Sequence, residues 1–437
     1  MRDDIYRRFS LLWIALLYFF VHGALFIFDI YHPLAFLNGD RGNDRIVQVQ
    51  EFTTRSSDYW ALLLSPSPGD YAFHAILYRF GGQYLVIAGQ VLIEFGILVG
   101  VYMSVSHLIG RRAAFWAGVL LVLMPGGLMS PHLLVTETWC TAFLSLGVLF
   151  LCLAIEDDGD RWSAGSVAFI LAGFVSLALA SFVRPQGLLL PLAGGLTILA
   201  TINRGQSSVV LGIVASYLLF PTSLLAFHFV SNGSFALGAS DADLGTNLLL
   251  RANRILNNPF LTPGEKLTIP QFLHIAAGHP VATVKTLYAD AVNLFLNPGS
   301  NHLFGRYLTV YDPEDFTFWV GLLDKTGPVG VVSRIIRQGG LFLLTFAFWA
   351  ALHATVLFGV TLALWRAFRC RPAMPPWFWI IVAVAGVYLV TAFAAGQLRW
   401  SHRAGIEPLL VILSVWGLHT PLRKSESEPA RPVTAAV

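Results

Sequence analysis

The sequence predicts an all-α membrane protein, and three observations carry that prediction. Of its 437 residues, 56% are hydrophobic and only 12% are charged, where a soluble domain carries about 25% charged residues. Apolar runs of the spanning length, roughly 17–25 residues, recur from near the beginning of the chain to near its end. The basic residues gather in short groups between these runs, as topology signals do.

Taken in order, length and breaker residues give helices near 11–31, 83–109, 113–129, 137–155, 163–182, 187–203, 208–230, 340–366, 376–396 and 405–419, about ten in all. The first run exceeds a signal-peptide core and leads into Tyr31-His32-Pro33 with no small-residue cleavage site, so it reads as a retained helix. The third follows Gly110-Arg111-Arg112 and meets Met124-Pro125-Gly126, and the fourth opens on Thr136-Glu137. Residues 1–424 then form one multi-pass domain, with 425–437 a polar, disordered cytoplasmic tail.

With Arg2, Arg7 and Arg8 in the cytoplasm, Arg111-Arg112, Arg161, Arg204, Arg366-Arg369-Arg371 and Arg423-Lys424 all fall on the same side. The two segments too long for turns, 32–82 and 231–339, then face outward, and long loops in compact proteins are usually functional. Helical pieces at 244–255, 270–277 and 281–296, parted by Pro and Gly, suit short helices lying on the membrane surface.

Composition also excludes classes. A net charge of +3 is too small to point to nucleic acid. Cys140 and Cys152 share one apolar run and Cys370 sits in a basic loop, so no disulfide is expected. There is no P-loop, dinucleotide fingerprint or zinc signature, hence no cofactor and no metal in the reading. No internal repeat suggests the paired halves of a secondary transporter.

Several residues break the membrane pattern. Arg184 lies in a very short outward turn, and Arg399, His402 and Arg403 crowd another. Cations there oppose the topology preference, and a lipid-linked phosphate is a natural partner because guanidinium binds phosphate bidentately; snorkelling to headgroups is the plainer account. Asp40 and Asp44 stand just outside the first helix, and Glu137 at the outward start of the fourth. A carboxylate at the membrane boundary can serve as general base to an incoming hydroxyl, while a helix-start acid or a solvated turn would also explain each. Glu94, one turn after Gln90, lies well inside the second span and should face other helices. His107 and His353 lack any ligand spacing and read as packing residues.

Three segments resemble the GT-C class of membrane glycosyltransferases, especially the bacterial protein-mannosyltransferase and lipid A aminoarabinose-transferase branch. The stretch 108–151 joins a Gly-Arg-Arg turn, a helix ending in Met124-Pro125-Gly126, and Leu133-Leu134-Val135-Thr136-Glu137-Thr138. Val183-Arg184-Pro185-Gln186-Gly187 is similar to an Arg-Pro element, and Arg399-Trp400-Ser401-His402-Arg403 with Glu407-Pro408 to the last outward turn. Where family members often carry Lys-Pro-Pro before the second helix, this chain reads Ser65-Pro66-Ser67-Pro68 without lysine.

The resemblance implies attack of a lipid, glycan or protein acceptor on a polyprenyl-phosphate sugar at the outer face of the cell inner membrane. By the same likeness Asp40, or Asp44, is the base and Glu137 assists, while Arg184, Arg399 and Arg403, with His402 beside them, hold the leaving phosphate. Two other readings stay open: a polymerase or ligase using a polyprenyl-diphosphate glycan, with Arg251, Arg254, His274, His279 and His302 in its long loop, and a non-enzymatic lipid or glycan transporter.

Overall fold

The computed structural model describes residues 2–31, 68–132, 137–156, 162–202, 206–232, 240–257, 267–296, 340–369, 374–394 and 403–419, with a few single positions between 329 and 336. The described elements are helical. The helices are α1 (Arg2–Tyr31), α2 (Pro68–Leu108), α3 (Arg111–Leu123), α4 (Pro125–Met129), α5 (Glu137–Ile155), α6 (Ala164–Val183), α7 (Leu190–Thr201), α8 (Gln206–Leu219) and α9 (Pro221–Asn232). They continue with α10 (Ser240–Leu256), α11 (Ile269–Gly278), α12 (Pro280–Leu296), α13 (Gly340–Arg369), α14 (Pro376–Ala394) and α15 (Glu407–His419).

Among the described residues six helices are long and apolar enough to cross a membrane, and seven if the pair α3 and α4, bent by 52°, counts as one span. Three more apolar helices, α7, α14 and α15, are shorter. At 1.5 Å per residue they reach roughly 18–28 Å, under the ~30 Å hydrocarbon core, and they account for the difference from the ten expected spans. Large apolar side chains such as Trp13, Phe20, Phe368 and Val390 point outward from the bundle, as lipid-facing residues do.

The expected loop 32–82 is shorter than the sequence suggested, because its last part is the first arm of α2. Pro68 opens that arm, a position where proline is tolerated since the first helical N–H has no partner anyway. At Gly81 and Gly82 the helix breaks, with Gly82 at φ 61, a left-handed conformation that favours glycine. The two arms fold back on each other. His74 and Gln90 are 16 positions apart yet their side chains meet at 3.3 Å, where a straight helix would separate them by about 24 Å. The second arm, from residue 83, is the span the sequence predicted.

The bundle is held by close backbone approach as much as by side chains, as is usual where no water drives helices together. A side chain added at Gly147 of α5 would meet the Gly173 carbonyl of α6 at 3.0 Å, and the reverse holds equally. Between α13 and α15 a side chain at Gly359 would lie 2.7 Å from the Ser414 carbonyl oxygen. At one end of the bundle lie the ends of α1, α6 and α14 and the starts of α5 and α15; we call this the site end. At the other, His107 in the last turn of α2 pairs with Glu156 just after α5 at 2.7 Å.

Candidate functional site

The first polar group at the site end follows from antiparallel packing of α5 on α6. Glu137 begins α5, and Arg184 caps the end of α6 with its backbone N–H on the Ala180 carbonyl. Though 47 positions apart, they form an ion pair in which Arg184 Nη2 donates to Glu137 Oε1 at 2.8 Å, with side-chain exposures of 11% and 7%. Arg184 Nη1 donates to the Tyr388 hydroxyl of α14 at 3.2 Å. Thr391 of the same helix donates to the Gln186 carbonyl at 3.1 Å, fixing the Pro185–Gly187 turn. Burial works against the charge on Arg184, but Glu137 and Tyr388 outweigh it and hold the guanidinium above its ordinary value.

A second group escaped the sequence reading. Asp29, near the end of α1, is fully enclosed, and His132 in the 3-10 turn after α4 donates from Nδ1 to its carboxylate at 2.7 Å. Its other ring nitrogen, Nε2, lies 3.0 Å from His22 Nδ1, within hydrogen-bond reach. The two imidazoles stack at 5.2 Å with 7° between planes. Hydropathy averaging hid Asp29 and His22 inside a long apolar run, and His132 has no ligand spacing. The usable signal was the carboxylate itself, since an ionisable group inside a span is a functional-site candidate by default.

The third group surrounds the start of α15. Arg403 is wholly buried; its Nη1 donates to the Leu294 carbonyl of α12 at 2.6 Å, and its Nε lies 3.6 Å from Glu407. Burial lowers Arg403 from its ordinary value, with Glu407 opposing. Glu407 sits against Gly126 at the break between α3 and α4, where any side chain would overlap its carboxylate. The two acids Glu94 and Glu407 line one pocket with Tyr18, Thr141, Gly126 and Gly127; Glu94 is thus buried among helices as its depth required. A side chain on Gly405 would come within 2.7 Å of the Tyr388 hydroxyl, so Tyr388 lies between the Arg184 pair and the 403–407 turn.

The structure thus brings Glu137 together with Arg184, and places Arg403 on Glu407 and on the end of α12. Asp40, Asp44, Arg399 and His402 lie outside the described residues. Among the described residues no three His, Cys, Asp or Glu side chains group as a metal site.

No protein-family model matches the sequence, and no curated protein matches it either. Solved structures do. The oligosaccharyltransferase AglB from Archaeoglobus fulgidus, in complex with an inhibitory peptide and a dolichol-phosphate, superposes with a TM-score of 0.51 at 13% identity, over 95% of this chain and 50% of that one. ArnT from Cupriavidus metallidurans in the apo state gives 0.39 at 15% identity, over 88% of this chain and 77% of that one. The chain spans about half the length of the AglB chain it matches. AglB and ArnT are both GT-C glycosyltransferases. Identity this low establishes fold alone: the chain shares its helical membrane architecture with the AglB structure.

Proposed function

We propose that this protein is a membrane glycosyltransferase that takes its sugar from a polyprenyl-phosphate carrier and passes it to a lipid, glycan or protein acceptor. The observation that carries this reading is the buried Glu137–Arg184 pair at the site end. The chain leaving α1 at that same end carries Asp40 and Asp44. The AglB structure, which contains a dolichol-phosphate, supports a lipid-linked phosphate as ligand of this fold. The distribution of Arg and Lys supports a site end facing outward from the cell inner membrane.

In this mechanism the acceptor oxygen attacks the anomeric carbon of the donor. The bond from that carbon to the phosphate oxygen breaks, and polyprenyl phosphate leaves with the bonding electrons. The acceptor proton passes to Asp40, or to Asp44 if the loop presents it instead, with Glu137 assisting. Arg184, with Arg399, His402 and Arg403, stabilises the charge building on the phosphate, where fixed cations help most. Glu137 and Tyr388 keep the Arg184 guanidinium in place for this before any donor arrives.

Of the residues that carry the polymerase reading in the long segment, Arg251 and Arg254 both donate to Asp290, at 2.9 and 2.6 Å, which gives them a structural role and favours the first reading. The test is transfer by the purified protein in liposomes from a panel of polyprenyl-phosphate sugars, following released polyprenyl phosphate. Arg184→Ala should weaken donor use and Arg184→Lys restore it in part, since lysine lacks the planar fork. Transfer from diphosphate-linked glycans alone, or none from any carrier, would overturn the proposal.

A further inference from the structure

Helix α12 wears its chemistry inside out, and α11 beside it leaves its apolar face uncovered. Along α12, Val281, Val284 and Tyr288 are 69%, 65% and 66% exposed, and Phe295 continues the row; this spacing keeps them on one helix face. On the opposite face Thr286 and Asp290 are buried at 5% and 1% exposure, Asp290 being held by Arg251 and Arg254. Helix α11 buries no residue and exposes Ile269 and Leu273. A helix in water arranges itself the other way round, with its polar face out; an apolar face turned out and an ion pair turned in is the arrangement a hydrocarbon solvent favours.

The stripe also runs into a surface that already faces lipid. At the end of α12, Leu294 packs with Ala392 and Leu389 of α14, and Arg403 holds its carbonyl. The next carbonyl, of Phe295, accepts from His353 of α13. His353 lies within the span Phe346–Arg369, about 10 Å below its first residue at 1.5 Å per residue. The end of α12 is therefore at hydrocarbon depth, and Leu344 and Phe348 of α13 expose their side chains to the same surroundings.

We propose that α11 and α12 form a helical hairpin immersed in the site-end leaflet, its Ile269, Leu273, Val281, Val284 and Tyr288 face covered by lipid acyl chains. Lys285, beside this stripe, marks the headgroup level. The inference is independent of the proposed reaction.

Full-length protein in phosphatidylethanolamine and phosphatidylglycerol liposomes provides the test. Spin labels on Leu273→Cys and Val284→Cys, with the native cysteines replaced by serine, should be reached by dissolved oxygen more than by a water-soluble nickel complex, as at a Phe348→Cys control. Greater access for nickel would show a water-facing pair and overturn the proposal. Protection from both reagents would show that a second copy or another segment of the chain covers the stripe, and would overturn it equally. Should the variants misfold, a photoreactive phospholipid with its carbene precursor on the acyl chain can be used on the unmodified protein. Labelling of the peptide bearing Val281 to Tyr288 is expected there, and its absence beside labelled α13 refutes the assignment.

Discussion

Replacing Gly359 by alanine should loosen the bundle more than any other single methyl group on α13. The added carbon would sit 2.7 Å from the Ser414 carbonyl oxygen and 2.8 Å from Ser414 Cα. Both are backbone atoms that cannot swing aside, so α13 and α15 must part by over half an ångström. A gap of 0.5–1 Å forfeits roughly a quarter to a half of each dispersion well, and lipid supplies no hydrophobic compensation between helices. Overpacking of this kind costs about 1–3 kcal/mol, roughly a 5- to 150-fold change in an equilibrium constant. The unfolding midpoint in detergent, followed by tryptophan fluorescence, should fall by several degrees. Gly417→Ala acts on the same contact, since its new carbon would lie 3.0 Å from Ala363 N, so the double variant should lose less than the sum of the singles. Gly386→Ala is the control: nothing lies within 4 Å of that position, and alanine there should be neutral or gain up to ~1 kcal/mol of helix propensity. Equal midpoints for Gly359→Ala and Gly386→Ala would refute the close-contact reasoning.

Three further outcomes can be measured. Glu137→Gln or Arg184→Met alone should each destabilise by about 3–5 kcal/mol by stranding a buried charge, while the double variant melts nearer the parent; additive losses would mean the two do not act as a pair. Asp29→Asn should cost about 1.5–3 kcal/mol by weakening its hydrogen bond from His132, and His132→Ala should cost less in that background than in the parent, as a melting cycle would show. Asp40→Asn should lower sugar transfer by roughly 100-fold or more if Asp40 is the base. Asp44→Asn should then stay near normal, and the reverse result would move the assignment four residues along the loop.

The legibility of this chain divided along physical lines. Long apolar runs gave α5, α6 and α13 within a few residues, and of α1 its spanning part, Ser10–Tyr31, because hydrocarbon thickness dictates their length; the polar first turns of α1 were not foreseen as helix. Pieces expected at 244–255, 270–277 and 281–296 correspond to α10, α11 and α12. The first arm of α2 was missed because Ser-Pro-Ser-Pro-Gly reads as a breaker, whereas Pro68 begins a helix. Of the site, Glu137 and Arg184 stood out separately by charge, but their pairing depends on how α5 packs against α6, which no local pattern records. Asp29 and His22 were diluted by the apolar residues around them. Arg403 was visible as a misplaced cation, yet its hold on the last turn of α12 joins positions 109 apart in sequence.

The Glu137–Arg184 pair also constrains how the protein is made. Forty-seven positions separate the two residues, so at ~5–20 residues per second a ribosome delivers the arginine roughly 2–9 s after the glutamate. During that interval α5 has left the ribosome with an acid at its end and no partner for it. The turn at Arg184 then arrives between two apolar helices that must enter the membrane as a hairpin, and meeting Glu137 rewards the insertion that brings both charges to the same side. A nascent chain in which only one of α5 and α6 crossed would leave a carboxylate and a guanidinium on opposite sides of the bilayer, each without its counter-charge, and so marked for correction before the remaining helices are synthesised.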